Sequence, residues 1–138
     1  MNKRKGNNMI VLPIIFVICM VCLFFIIYTI FNTLVPLVYY QKLDMIMTKY
    51  MFVIEKFGYL TNLEKLSLTN ELNSKGFNID NIEIKYPKNK KEYGEYIEFN
   101  IRYKLYMNNI NFGSGKIKLE KKETIINISK NSFSKIDF

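Results

Sequence analysis

MIVLPIIFVICMVCLFFIIYTIF, residues 9–31, is the stretch on which the reading of this chain turns. It has 23 residues, and only Pro13, Tyr28 and Thr29 depart from Ile, Leu, Val, Phe, Met and Cys. As a helix it is about 35 Å long, enough to cross a hydrocarbon core of about 30 Å. Sixteen of its residues are Ile, Leu, Val or Phe. At about −0.3 to −0.6 kcal/mol each near the centre, they favour insertion by roughly 5 to 10 kcal/mol. No charge inside the run opposes that sum. The expectation is a chain anchored in a membrane by a single helix.

Working outward, the residues before the run are Lys3-Arg4-Lys5-Gly6-Asn7-Asn8. A cleaved secretory signal has an apolar region of about 7–15 residues and a small-residue cleavage site. This run is longer, and the whole chain contains no alanine, so an A-x-A site does not exist. Cys19 and Cys22 follow Ile18 and Val21 rather than a small residue, which disfavours a lipid-modified cysteine. The basic residues set the orientation: three precede the run with no acid among them, whereas Lys42, Asp44 and Lys49 lie well beyond it. Cytoplasmic flanks carry the excess of Lys and Arg, so the N-terminus is expected in the cytoplasm and the C-terminal part outside.

The two cysteines sit one helical turn apart within the run, and the rest of the chain has none. Neither a disulfide framework nor a cysteine metal site is available to the outer part. The net charge of +8 invites a nucleic-acid reading. Three of those charges belong to the N-terminal flank, and the richest remaining cluster, Lys88-Asn89-Lys90-Lys91, follows Pro87 as a solvated turn. Contact with anionic lipid or a cell-wall polymer suits this distribution better, and nucleic acid is not an expected partner.

Helical character continues past the apolar run. Leu43, Ile46, Met47, Tyr50, Val53, Ile54 and Phe57 have the i, i+3, i+4 spacing of one buried stripe. Gly58 is a natural stop, and Pro36 predicts a kink or brief unwinding at 32–36. Thr61-Asn62-Leu63-Glu64 opens a second helix with a capping-box pattern, and Gly76 closes it, with apolar positions at Leu63, Leu66, Leu68 and Leu72.

After Gly76 the period changes to two. Ile82, Ile84 and Tyr86 alternate with Glu83 and Lys85. From 96 to 107 the alternation is strict, with Ile97, Phe99, Ile101, Tyr103, Leu105 and Met107 on one parity, as in an antiparallel sheet with one dry face. Gly113-Ser114-Gly115 marks a turn. Ile117 and Leu119 then share one parity while Ile126 and Ile128 share the other, which predicts two short strands or a bulge around 121–124.

The expected organisation is a basic flank at 1–8, a transmembrane helix at 9–31, an amphipathic helical extension at 32–58 and an α+β head at 59–138. The head would combine the second helix with three or four antiparallel strands. Its core is small, so the stripe on the extension is expected to cover the dry face of the sheet.

Motifs for chemistry are scarce. The chain has no histidine, the usual general base and commonest metal ligand. No P-loop, G-x-S-x-G or dinucleotide fingerprint occurs. The carboxylates Glu92, Glu95 and Glu98 fall in a turn and on the polar phase of a strand, and Tyr93, Tyr96, Tyr103 and Tyr106 read as sheet formers. The Asn127-Ile128-Ser129 sequon is a common chance match. The expectation is a non-enzyme with no cofactor and no metal.

A basic stretch ending in glycine before an apolar helix is also what a prepilin peptidase cuts. Here it reads Lys3-Arg4-Lys5-Gly6, then Asn7-Asn8-Met9-Ile10-Val11-Leu12-Pro13. With the early Pro13, the amphipathic continuation from Gln41-Lys42-Leu43-Asp44, the helix closing in Lys75-Gly76-Phe77 and the strands beyond, the chain resembles the TadE-like minor pilins and pseudopilins of tight-adherence (Tad/Flp) pilus systems, above all the small clostridial type. That resemblance covers nearly the whole chain, as architecture more than as invariant motif. It implies a pilin-like fold, processing between Gly6 and Asn7, helix packing that includes Val11 and Pro13, and partners among other pilin subunits, the assembly machinery and the peptidase. One residue departs from the pattern: pilins carry an acid five residues after the cleaved glycine, and the matching position is Val11. An apolar residue there implies a non-cleaved subunit or one that starts or caps a filament, and a basic tail kept for orientation explains Lys3, Arg4 and Lys5 equally well. The alternatives are a membrane-tethered extracellular binding module and a scaffold component of an envelope ring.

Overall fold

The computed structural model describes residues 5–111 and 118–135, and side chains within 11–110 and 118–135. The elements follow in the order α1 (Lys5–Phe57), α2 (Asn62–Ser74), a 3-10 turn (Ile79–Asn81), β1 (Ile82–Lys85), β2 (Tyr96–Asn111) and β3 (Lys118–Phe133). The class is α+β: a long apolar helix, a second helix and a three-stranded antiparallel sheet. The chain forms two compact units, Met1–Leu37 and Val38–Phe138, of which α1 contributes to both.

In the first unit α1 carries exposed apolar side chains. Leu12, Phe16, Val17, Phe24 and Phe31 are each exposed, and Tyr28 is the only half-buried position from 11 to 31. The unwinding expected at 32–36 does not occur, because α1 runs unbroken through both Pro13 and Pro36. Proline withholds a single N–H from the ladder, so helix on both sides can carry the conformation across it. Just before Pro36, the Thr29 and Thr33 hydroxyls donate to the carbonyls of Phe25 at 2.8 Å and Thr29 at 3.0 Å.

The second unit begins at Val38 and holds the core. Leu43, Ile46, Met47, Tyr50 and Ile54 of α1 are buried, as the stripe predicts. Two positions differ: Phe57 is exposed and Val53 half-buried, while Met51 joins the core. The α1 terminus is closed by Gly58 at φ 77°, whose N–H donates to the Ile54 carbonyl at 2.7 Å.

The cap of α2 is the capping box read from the sequence. The Glu64 N–H donates to the Thr61 hydroxyl at 3.3 Å, and the Thr61 N–H donates to the Glu64 carboxylate at 2.8 Å. At the other end the N–H of Gly76 donates to the Asn73 carbonyl and that of Phe77 to the Leu72 carbonyl, the paired bonds of a Schellman motif. Gly76 has φ 87°, which an L side chain rarely adopts. Only Leu68 and Leu72 of α2 are buried; Leu63 and Leu66 face solvent. A 13-residue helix against a small core has room for one narrow contact line, and positions four apart at 68 and 72 take it.

The sheet is a meander in the order β1-β2-β3. Ile97, Phe99, Ile101, Tyr103 and Leu105 of β2 share its buried face with Ile126 and Ile128 of β3. β3 corrects the sequence reading: it is one strand of 16 residues, with neither break nor bulge around 121–124. Its register against β2 is continuous from Tyr96↔Phe133 to Asn111↔Lys118. The parity conflict disappears because Leu119 is not a core residue; it is 75% exposed. The turn residues Gly113, Ser114 and Gly115, and Ile117, lie outside the described residues.

Phe99 sits at the centre of the buried face, fully enclosed. Phe99→Ala should lower the stability of the head by about 3–5 kcal/mol, while Leu66→Ala should change it by less than about 0.5 kcal/mol. Denaturant titration in detergent, followed by the near-ultraviolet signal of the buried tyrosines, separates the two.

Candidate functional site

The residues singled out at the N-terminus fall into two groups. Lys3 and Arg4 lie outside the described residues, whereas the backbones of Lys5, Gly6 and Asn7 form the first residues of α1. Val11 and Pro13 are exposed on that helix. Val11 begins the described stretch that is long and apolar enough to cross a membrane. Cys19 and Cys22 are exposed on the same stretch as free thiols.

Of the three carboxylates singled out in the head, Glu98 is exposed on β2, while Glu92 and Glu95 are engaged in structure. The Glu92 N–H donates to the Glu95 carboxylate at 2.8 Å, and the Glu95 N–H returns to the Glu92 carbonyl at 3.1 Å, so the pair closes a turn. That turn is tied to the end of β3, where the Gly94 N–H donates to the Ser134 carbonyl at 2.9 Å and the Ser134 N–H to the Glu95 carbonyl at 2.9 Å. Among the described residues no group of three or more His, Cys, Asp and Glu side chains is placed to hold a metal ion.

The tyrosines do not form one platform. Tyr93, Tyr96 and Tyr106 are exposed, and Tyr96 meets Phe133 edge-on at 6.1 Å. Tyr103 is buried instead. It stacks on Tyr39 at 5.8 Å, and Phe77 meets both rings edge-on at 5.1 and 5.4 Å. Burial pushes the Tyr103 hydroxyl above its ordinary pKa, with Tyr39 adding to the effect. These three rings come from α1, the segment after α2 and β2, a junction that no local pattern announces.

Two ionic clusters were also invisible in the sequence. On one side of α1, Glu71 of α2 accepts from the Lys49 ammonium at 2.7 Å and from the Tyr50 hydroxyl at 3.1 Å. The hydrogen bond from Lys49 holds the Glu71 carboxyl below its ordinary value, and burial beside this carboxylate pushes Tyr50 up to about 12. On the other side, Asp44 pairs with Lys130 at 2.7 Å and Glu55 with Lys135 at 3.0 Å. A hydrogen bond from Ser132, followed by that from Lys135, lowers the Glu55 pKa. The partners are 21 to 86 positions apart, so only the finished fold brings them together.

Two shallow depressions mark the head. One is lined by Thr48, Met51, Phe52, Glu55, Lys130 and Asn131, the other by Asp80, Ile82, Glu83, Arg102, Lys104 and Tyr106 among others. In the first, Glu55 and Lys130 are committed to the pairs above, and the Thr48 hydroxyl donates to the Asp44 carbonyl at 2.8 Å. Comparison of the chain with protein-family models, with curated proteins and with solved structures returned no match.

Glu71→Ala should remove the acceptor of the buried Tyr50 hydroxyl and destabilise the head by about 1–3 kcal/mol. The pH dependence has a definite sign. Glu71 and Glu55 have folded pKa values below the ordinary 4.5, so their contribution is complete above that value and is lost as pH falls through the folded values. Denaturation midpoints should stay level between about pH 7 and 5, then fall, and Glu55→Ala with Glu71→Ala should flatten that fall.

Proposed function

We propose that the protein is a membrane-anchored structural subunit, a minor pilin or pseudopilin of a Tad-like pilus or a related secretion assembly. The observation that carries this reading is the division of labour along α1. Its first half presents apolar side chains to the surroundings on every side, while its second half buries one stripe beneath an α+β head. A soluble protein does not leave a continuous apolar surface of that size uncovered, and lipid or the helices of sister subunits are the coverings that suit it. In this reading the N-terminus is cytoplasmic, the head lies outside the cell membrane, and Gly6–Asn7 is the bond offered to a prepilin peptidase.

The head offers surfaces for lateral contact that its own core does not use. Leu63 and Leu66 lie three apart on the outer face of α2, and Met45 and Phe52 lie seven apart on α1. These are the exposed apolar positions a packed assembly would cover. The subunit carries out no chemistry of its own and is driven by an assembly ATPase supplied by partner proteins.

The test is intact mass and N-terminal sequencing of the membrane-extracted protein, with and without a prepilin peptidase, alongside its abundance when the assembly machinery is deleted. The reading expects a chain beginning at Asn7, or an uncleaved chain whose abundance or surface display falls without that machinery. A chain beginning at Met1 whose location and abundance ignore the machinery would sink it, and would favour a tethered binding module.

A further inference from the structure

The part of α1 that belongs to the head has an outward face with an order of its own. Residues seven apart on a helix fall nearly in line, so Val38, Met45 and Phe52 form one row. That row lies on the side of α1 away from the buried Leu43, Met47 and Ile54. Its three members are exposed, at 44%, 63% and 63%. Seven residues is also the period at which one helix packs along another at a shallow crossing angle.

The two flanks of this row carry unlike charges. Lys42, Lys49 and Lys56, again seven apart, follow the flank turned to α2, where Lys49 meets Glu71 at 2.7 Å. Asp44 and Glu55 follow the flank turned to β3, where they meet Lys130 and Lys135. A face of this kind is complementary to itself in one sense only. In a parallel pair of helices, the residue before each seam position lies opposite the residue five further on in the other helix. Asp44 of one copy then faces Lys49 of a second copy, and the same contact recurs across the seam. An antiparallel pair would instead set the lysine flanks of both copies against each other. The side chains of Asp44 and Lys49 keep 41% and 61% of their surface in solvent, which leaves each able to take a second partner beside its own.

We infer that the outward face of α1 from Val38 to Lys56 binds the same face of a second copy, with the helices parallel and in register. This rests on the reading of the protein as a membrane-anchored assembling subunit. Three apolar side chains make a narrow seam, well under the roughly 1,200 Å² that a stable soluble complex buries. Confinement of the copies to one bilayer raises their effective concentration and offsets that shortfall. The apolar row supplies adhesion, and the unlike flanks select the orientation and the partner.

The full-length protein in vesicles tests this, with Cys19→Ser and Cys22→Ser removing the native thiols. Single cysteines at Met45→Cys and at Phe52→Cys should each give a disulfide-linked dimer under mild oxidation. Both should form about tenfold faster than at Lys85→Cys, an exposed position on β1. The charges are read with two chains of different mass in equal amounts, one carrying Asp44→Lys and the other Lys49→Glu, each with Phe52→Cys. Either chain paired with its own kind sets like charges across the seam, whereas the mixed pair has opposite charges at both contacts. Mixed dimers should therefore exceed the two like dimers together by about fivefold, and the excess should shrink at about 0.5 M salt. Contacts within each chain, to Lys130 or Glu71, are the same in mixed and like dimers and leave this ratio unchanged. Alkaline carbonate extraction of the same vesicles reads the anchor. Release of the protein would overturn the anchored reading and this inference with it. Retention with cross-linking at 45 and 52 no faster than at 85, or with mixed dimers only equal to the like dimers together, would overturn the inference alone.

Discussion

The head depends on one packing constraint: its three-stranded sheet has an apolar face and, among the described residues, no second sheet to cover it. Five successive inward residues of β2, Ile97 to Leu105, must leave water together with Ile126 and Ile128. Burying each such side chain is worth about 1.5–3 kcal/mol, so the face is a strong adhesive as soon as something fits it. What fits is the stripe Leu43, Ile46, Met47, Tyr50, Met51 and Ile54 on α1, joined by Leu68 and Leu72 of α2. The second half of α1 therefore belongs to the head in energetic terms, and the compact unit begins at Val38 rather than after Gly58.

That constraint explains which parts of the fold were legible. The capping box at Thr61 and Glu64 and the stop at Gly76 are local, since a helix end needs its orphan groups satisfied by residues a few positions away. The dry parity of β2 is legible for the same kind of reason, because strict alternation over many residues has one reading. β3 misleads because alternation reports burial only where a strand faces the core. Where the hairpin leaves the core, parity loses its meaning, and Leu119 can stand on the outer face beside Tyr106 and Ile110. The α2 leucines misled in the opposite sense: Leu63 and Leu66 look like core positions by type, yet α2 touches the core along one line only.

The candidate site was legible only as a span. Its length, composition and flanking charges are properties of consecutive residues, whereas the features that organise the head join residues far apart. The ring cluster of Tyr39, Phe77 and Tyr103 is the clearest example. Each ring has a different local environment in sequence, and a single junction makes them neighbours at 5.1 to 5.8 Å. Offset and edge-on aromatic pairs add about 0.5–1.5 kcal/mol beyond their buried area, so this junction fixes where α1 enters the sheet as well as holding it there.

The ion pairs complete the argument about how α1 is oriented. Apolar packing alone is tolerant of rotation, because a stripe of Leu, Ile and Met can slide by a fraction of a turn with little loss of area. Lys49 pairs with Glu71 on the α2 side, while Asp44 and Glu55 pair with Lys130 and Lys135 on the β3 side. Exposed pairs of this kind contribute no more than about 1 kcal/mol each, so they are minor contributors to stability. Their placement on opposite flanks of one buried stripe gives them another consequence. Rotating α1 either way breaks a pair on one side without making a new one on the other, and Tyr50 would lose the Glu71 acceptor as it moved. The helix is thus held in place by burial and in rotation by charge, which leaves Met45 and Phe52 outward as a fixed feature of the surface rather than an accident of loose packing.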